Sequence, residues 1–179
     1  MRPKSMPELN RLDLEQFKNK PKIPVVAVLC NLRSLQNVGS IFRSADAFAL
    51  QELILCGFTG RPPHRDLHKA ALGAELSMPW RDWEQPLQAL LDLKAEGFHL
   101  CAVEQTTPSC SLELWTPDIQ QPLALVLGNE VDGLDQELLD VCDSSVEIPQ
   151  WGTKHSLNVA VCAGILFWEV ARKAMPTRT

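Results

Sequence analysis

No CxxC pair occurs among the six cysteines of this 179-residue chain, Cys30, Cys56, Cys101, Cys110, Cys142 and Cys162. Far apart and mostly set in apolar runs, they read as buried free thiols in a reducing compartment, which leaves no zinc site and no disulfide framework to expect. No apolar stretch reaches the about 20 residues of a membrane span, and no apolar signal core follows the basic residues near the start, so the expected location is cytoplasmic and no membrane partner is expected. Common nucleotide and hydrolase signatures are missing too: there is no GxGxxG after the first apolar run, and no GxSxG, HExxH or DxD. Gly128 to Gly133 has the spacing of a phosphate loop but lacks the Lys-Ser/Thr that would hold phosphates and magnesium. Simple dehydrogenase, kinase and hydrolase readings lose their support, and so does any bound metal. With no repeat, low-complexity tract or linker, and 45% apolar residues, the chain fits one compact domain.

Positive charge is scarce, the net being -5, and it is unevenly placed. Residues 1–81 hold 12 Lys and Arg against 7 Asp and Glu, whereas residues 82–179 hold 5 against 15. That balance argues against a generic nucleic-acid binder but lets the front half face phosphate; chance asymmetry on a solvated surface is the other reading.

What is present is alternation. Residues 25–30 form a short, valine-rich apolar run, the mark of a central strand buried on both faces. Further strands are expected over 53–56, 98–103, 123–127 and 145–148. Helices are expected over 38–50, with Ile41, Ala45, Phe48 and Ala49 at helical spacing, and over the stretch that carries His64, Arg65, His68 and Lys69 and stops at Gly73. Two more are expected over 82–96, with Leu87, Leu90, Leu91 and Ala95 on one side, and over 134–141. Residues 106–118 read as loop. Residues 1–24, with Ser5 and Glu8 at capping-box spacing and Pro21 and Pro24 at their close, form a helical arm ahead of a single domain over 25–175. Ser156 sits where the last helix would be N-capped. The apolar run after it predicts a helix buried around most of its circumference.

This rhythm predicts an α/β fold, a parallel sheet flanked by helices on both faces. Ligands in such sheets lie beyond the carboxyl ends of the strands. Four polar or glycine-bearing loops come after strand ends here, at 31–37, 104–107, 128–133 and 149–156. The start of the last helix adds unpaired backbone N–H groups and the short polar side chains of Ser156 and Asn158.

Three segments carry the functional reading: Asn37-Val-Gly39-Ser-Ile-Phe-Arg43, Leu127-Gly-Asn-Glu130-Val-Asp-Gly133-Leu, and Ile148-Pro through Ser156-Leu-Asn158-Val-Ala. In this order and spacing they resemble the three motifs of the SpoU (TrmH) family of RNA 2'-O-ribose methyltransferases, in the SPOUT superfamily. The segment from His64 to Ala74 is similar to the stretch after the second strand in many relatives. The resemblance implies a C-terminal deep trefoil knot, an exception to the rule that connections do not thread. It also implies an obligate homodimer, S-adenosylmethionine as cofactor, and RNA as partner, tRNA ahead of rRNA.

Carried over residue by residue, Gly128, Ile148 and Leu157 match cofactor positions, with Leu127, Asn129 and Glu104 in the same pocket. Asn37, Arg43, Glu130, Ser156 and Asn158 match the catalytic set. Arg43 offers a planar fork suited to phosphate. A guanidinium with a pKa above about 12 does not deprotonate, so its expected role is to clamp the phosphate beside the target ribose and orient the 2'-OH, whose proton passes to a phosphate oxygen or water. The plainer readings stay open: Arg43 paired with Asp46 or Glu130, Glu130 as a helix N-terminal carboxylate, and Asn158 and Ser156 as simple caps. Arg61, Arg65 and Lys69, with His64 and His68, either meet RNA backbone or form a solvated face. Trp151 either stacks on a base or anchors its loop. The expected activity is RNA 2'-O-methylation. The alternatives are a non-catalytic RNA-binding module, which has no need of Arg43, and a methyltransferase for a non-RNA acceptor.

Overall fold

A computed structural model describes residues 1–5 and 7–175. A 3-10 turn, Pro7–Leu9, and α1 (Leu14–Asn19) form the arm. The body then runs β1 (Ile23–Cys30), α2 (Leu35–Ala47), β2 (Leu50–Cys56), α3 (Arg65–Ala71), α4 (Ala74–Ser77), β3 (Trp80–Trp83) and α5 (Pro86–Ala95). It continues through β4 (His99–Val103), β5 (Cys110–Ser111), β6 (Leu123–Leu127), α6 (Gln136–Val141), β7 (Ser144–Glu147) and α7 (Val159–Ala174). The seven strands form one sheet in the order β3-β2-β1-β6-β4-β7-β5, with every pairing parallel.

The apolar runs explain the middle of that order. Along β1 successive side chains point to opposite faces. Val25, Ala27 and Leu29 join the core under α2, α3, α4 and α7, while Val26, Val28 and Cys30 join the core under α5 and α6. β6 is buried at all five positions. Each buried Val or Leu among them contributes about 1.5–3 kcal/mol by leaving water. All six cysteines are free thiols, and three of them, Cys30, Cys56 and Cys101, are fully buried.

The path is less simple than the rhythm suggests. From β4 the chain runs out to β5 at the sheet edge, then returns to lay β6 between β1 and β4. It crosses β4 again to form β7, and α7 comes back to pack on α2.

Several expectations need correction. Residues 82–83, read as the start of a helix, belong to edge strand β3, held to β2 partly by Arg81 Nε, which donates to Glu52 Oε2 at 2.9 Å. The next helix, α5, buries Ala89, Leu90 and Leu93, whereas Leu91 is exposed. Helix α2 begins at Leu35, three residues early, because Ser34 caps it by accepting from Asn37 N at 3.2 Å. Residues 110–111, within the expected loop, add the short strand β5. Helix α7 is not capped by Ser156 but by Asn158, which accepts from Ala160 N at 2.9 Å and Val161 N at 3.3 Å. As expected, it is covered around most of its circumference. Val161, Ile165 and Trp168 stand 53%, 36% and 57% exposed on one face.

Candidate active site

The carboxyl ends of β4, β6 and β7 open into a cavity of about 500 Å3. The loops after these three strands form its walls, as the sheet rule anticipates. Glu104, Leu127, Gly128, Asn129, Ile148 and Leu157, the residues matched to cofactor positions, all line it, together with Glu130 and Ser156. Asn37, Arg43 and Asn158 lie outside the lining.

The loop after β6 is a closed turn. Asn129 and Gly133 exchange backbone hydrogen bonds of 3.1 and 3.2 Å, and Asn129 Oδ1 accepts from Val131 N at 2.9 Å and Asp132 N at 2.8 Å. The turn folds back so closely that a Cβ on Gly128 would fall 2.2 Å from the Gly133 carbonyl carbon and 2.6 Å from Leu134 N. No residue with a side chain fits there unless the wall moves. From β4, Glu104 Oε2 accepts from Leu134 N at 3.3 Å, and Gln105 Nε2 donates to the His155 carbonyl at 2.8 Å, so one loop holds the other two.

Beside the cavity, a line of side chains joins two helix starts. Asn158 Nδ2 donates to Asn37 Oδ1 at 3.1 Å, and Asn37 Nδ2 donates to Glu130 Oε1 at 2.8 Å. Asn158 Oδ1 is already committed to the α7 N–H groups, so its amide faces one way only, and that fixes the Asn37 amide in turn. Glu130 also accepts from Arg33 N at 3.2 Å and Ser34 N at 3.3 Å. Burial alone would raise the Glu130 carboxyl, but the hydrogen bonds from Asn37 and from the Arg33 and Ser34 amides outweigh it and hold the group below its ordinary value. Glu130 is thus an acceptor at the start of α2, and it does not hold Arg43. Among the described residues Ser156 makes no hydrogen bond; it is an exposed hydroxyl at the cavity wall.

Arg43 is exposed in the middle of α2 and has no ion pair or hydrogen bond among the described residues. Both expected partners are otherwise engaged, since Asp46 Oδ2 accepts from Ser77 Oγ at 2.5 Å and Glu130 from α2. The three basic candidates divide. Arg61 is spent internally, donating to the Gly57 carbonyl at 3.1 Å and pairing with Asp82 at 3.0 Å. Lys69 is in an exposed pair with Asp66 at 3.3 Å, and Arg65 is exposed without a partner among the described residues. An exposed pair of this kind holds Lys69 only weakly.

The cavity carries the sign of a cation's site. Glu104, Glu130, Asp132 and Glu147 line it, and no Lys or Arg among the described residues does. Leu127, Leu134, Val146 and Leu157 give it apolar walls for a ring. Burial pushes the Cys162 thiol up to about 11, with the nearby Glu104 charge adding to it, so the cavity holds a neutral thiol and no nucleophile. This donor set fits S-adenosylmethionine, whose sulfonium and ammonium are cationic and whose adenine is flat. Among the described residues no group of three or more His, Cys, Asp or Glu is placed to hold a metal ion, and no helix is long and apolar enough to cross a membrane. The sequence points to the 104–107 loop as part of the pocket but does not single out Gln105, whose clamp on the third loop depends on a contact 50 residues apart.

Solved proteins share this fold. The AdoMet-bound rRNA methyltransferase from Sinorhizobium meliloti superposes with a TM-score of 0.80 at 26% identity, over 89% of this chain and 61% of that one. The TrmH/SpoU tRNA modifying enzyme of Aquifex aeolicus gives 0.79 at 26%, over 89% and 80%. In sequence, the chain is 26% identical over 171 residues to the 23S rRNA (guanosine-2'-O-)-methyltransferase RlmB of Vibrio parahaemolyticus, covering 96% of this chain and 68% of that protein. The tRNA (guanosine(18)-2'-O)-methyltransferase of Aquifex aeolicus is likewise 26% identical, over 89% of this chain and 74% of its own length. Residues 24–168 match the model of the SpoU rRNA Methylase family, most of the chain from β1 into α7. The protein therefore belongs to the SpoU family of RNA methylases, whose cofactor is S-adenosylmethionine.

Proposed function

We propose that the chain is an S-adenosylmethionine-dependent RNA methyltransferase that modifies a ribose 2'-OH, with tRNA as substrate. The observation that carries this reading is the hydrogen-bonded line Glu130–Asn37–Asn158 beside an acidic, apolar-walled cavity. All three motifs contribute to it, although 121 residues separate Asn37 from Asn158.

When bound, S-adenosylmethionine supplies an electrophilic methyl group. The chain's own work is positioning. Arg43, permanently charged and unpaired among the described residues, clamps the phosphate next to the target ribose. Glu130, held as a carboxylate, and the Asn37 amide fix the polar edge beside the cavity, and the Ser156 hydroxyl faces the ribose. The 2'-OH proton leaves to a phosphate oxygen or water. Orientation of this kind supplies up to about 7–11 kcal/mol of barrier lowering in favourable cases. Arg65 and Lys69 meet the RNA backbone farther out, where an exposed cation next to phosphate is favourable.

Three structural parts complete the reading. The trefoil knot is supported by the double crossing of β4 and the return of α7 to α2. The homodimer is supported by the exposed apolar face of Val161, Ile165 and Trp168. The six free thiols suit a reducing, cytoplasmic setting. Ribosomal RNA is the second substrate reading, since relatives of similar likeness are named for it.

The test is transfer of labelled methyl groups from S-adenosylmethionine to unmodified bulk tRNA and, in parallel, to rRNA, with wild type and Arg43→Ala. Incorporation into the ribose 2'-O of tRNA, lost in the variant, is expected. Incorporation into rRNA alone would move the substrate, and none into either RNA would overturn the reading.

A further inference from the structure

We propose that Trp151 is a stacking platform for a base of the substrate RNA, with Lys154 of the same loop meeting backbone phosphate; this deepens, and rests on, the RNA methyltransferase reading above. The loop between β7 and α7 touches the cavity wall at Gln150 and again at His155, whose carbonyl is clamped by Gln105 Nε2 at 2.8 Å. Residues 151–154 leave the wall between these two anchors, and every residue from 151 to 158 is exposed. Trp151 is 86% exposed.

Such a residue does not anchor its loop. The other tryptophans all have partners: Trp83 Nε1 donates to Asp92 Oδ2 at 3.0 Å, Trp115 is buried, Trp168 lies 5.9 Å from the Phe48 ring, and Trp80 packs on the core. Among the described residues Trp151 has no ring, cation or hydrogen-bond partner. A large, rigid aromatic surface held at a cavity mouth is what an unstacked nucleobase takes up.

Charge selects the nucleic acid over other occupants. Residues 148–158 contain no Asp or Glu, and Lys154 and His155 are their only ionisable side chains. The cavity behind them is lined by four carboxylates. The sign of the surface thus reverses within one loop, from a wall suited to a cationic cofactor to a tip suited to an anionic chain.

The test uses the whole chain with unmodified tRNA and rRNA transcripts, measuring RNA affinity by filter binding, kcat and KM for methyl transfer, S-adenosylmethionine affinity and mass by light scattering. Trp151→Ala is expected to weaken RNA binding and raise KM about 5- to 150-fold, the range for losing one aromatic–base stack, with S-adenosylmethionine affinity and mass unchanged. Trp151→Phe is expected to recover most of that loss while removing the RNA-induced quenching of tryptophan fluorescence. Lys154→Ala is expected to lower the salt slope of binding by about 1. Wild-type RNA affinity and KM in Trp151→Ala would overturn the proposal while leaving the enzyme reading intact. A fall in mass would overturn it too, by assigning the indole to a contact between copies. Failure of the wild type to bind or methylate tRNA or rRNA would overturn both.

Discussion

Replacing Asn158 separates its two tasks, because the residue both caps α7 and orders the Asn37 amide. Asn158→Ala removes an N-cap that serves two backbone N–H groups, at 2.9 and 3.3 Å, a loss of about 1 kcal/mol. It also removes the 3.1 Å donation to Asn37 Oδ1, worth about 0.5–1.5 kcal/mol net. The total is about 2 kcal/mol, or about 4–8 °C in Tm for a domain of this size. Asn158→Asp keeps an acceptor for the α7 N–H groups and adds a carboxylate at a helix start, which by itself is favourable by about 0.3–1 kcal/mol. It also sets an oxygen against Asn37 Oδ1. If the Asn37 amide turns over to satisfy the new carboxylate, its own oxygen then faces Glu130, whose 2.8 Å bond is lost.

Either way one contact in the line fails while the helix stays capped. The Asp variant is therefore expected to unfold in urea within about 1 kcal/mol of wild type, with an unchanged m value, and yet to lose methyl-transfer kcat by about 100-fold, the scale of a small misplacement at a reacting centre. Urea titration and single-turnover methyl transfer read the two effects separately. An Asp variant with wild-type kcat, or an Ala variant that loses less than about 0.5 kcal/mol, would refute the reasoning.

Other perturbations rest on single contacts. Gly128→Ala puts a methyl group 2.2 Å from the Gly133 carbonyl carbon, so the loop after β6 must open; S-adenosylmethionine binding by calorimetry is expected to be lost, with a destabilisation of about 1–3 kcal/mol as in overpacking. Glu130 has its carboxyl held below its ordinary 4.5 because hydrogen bonds outweigh burial; its contribution to stability is complete above that value and is lost as the pH falls through the lowered folded value. Acid unfolding of Glu130→Gln, followed by circular dichroism, is expected to lack that part of the pH dependence. Ile165→Asp places a charge on the exposed apolar face of α7; light scattering is expected to give a monomer mass, with little change in the thermal stability of each copy.

The sheet is legible in the sequence where burial is complete on both faces. The runs at 25–30 and 123–127 can only be interior strands, and the loops after strands are where the cavity opens. Strand β3 is hidden because Trp80-Arg-Asp-Trp83 lies half-buried at an edge, where its charge is paired across strands by Glu52 and no period marks it. β5, two residues long, is too short to carry one. The exposed stripe on α7 escapes the sequence for another reason: an apolar period reports that a face leaves water, not which chain covers it. The cap of α7 shows the limit most clearly. Ser156 and Asn158 both suit an N-cap by chemistry, and what sits beside Asn158 is Asn37, a residue 121 positions away. That same contact ties the capping groups of two helices into one hydrogen-bonded line. Glu130 receives the amides at the start of α2, Asn158 receives those at the start of α7, and Asn37 joins them. Two helix starts, each the positive end of a dipole, are thereby brought to one edge of the cavity with a carboxylate already bound to one of them. These hydrogen bonds hold that carboxyl below its ordinary value and in place, so the groups that end the helices are the ones that order this edge of the cavity.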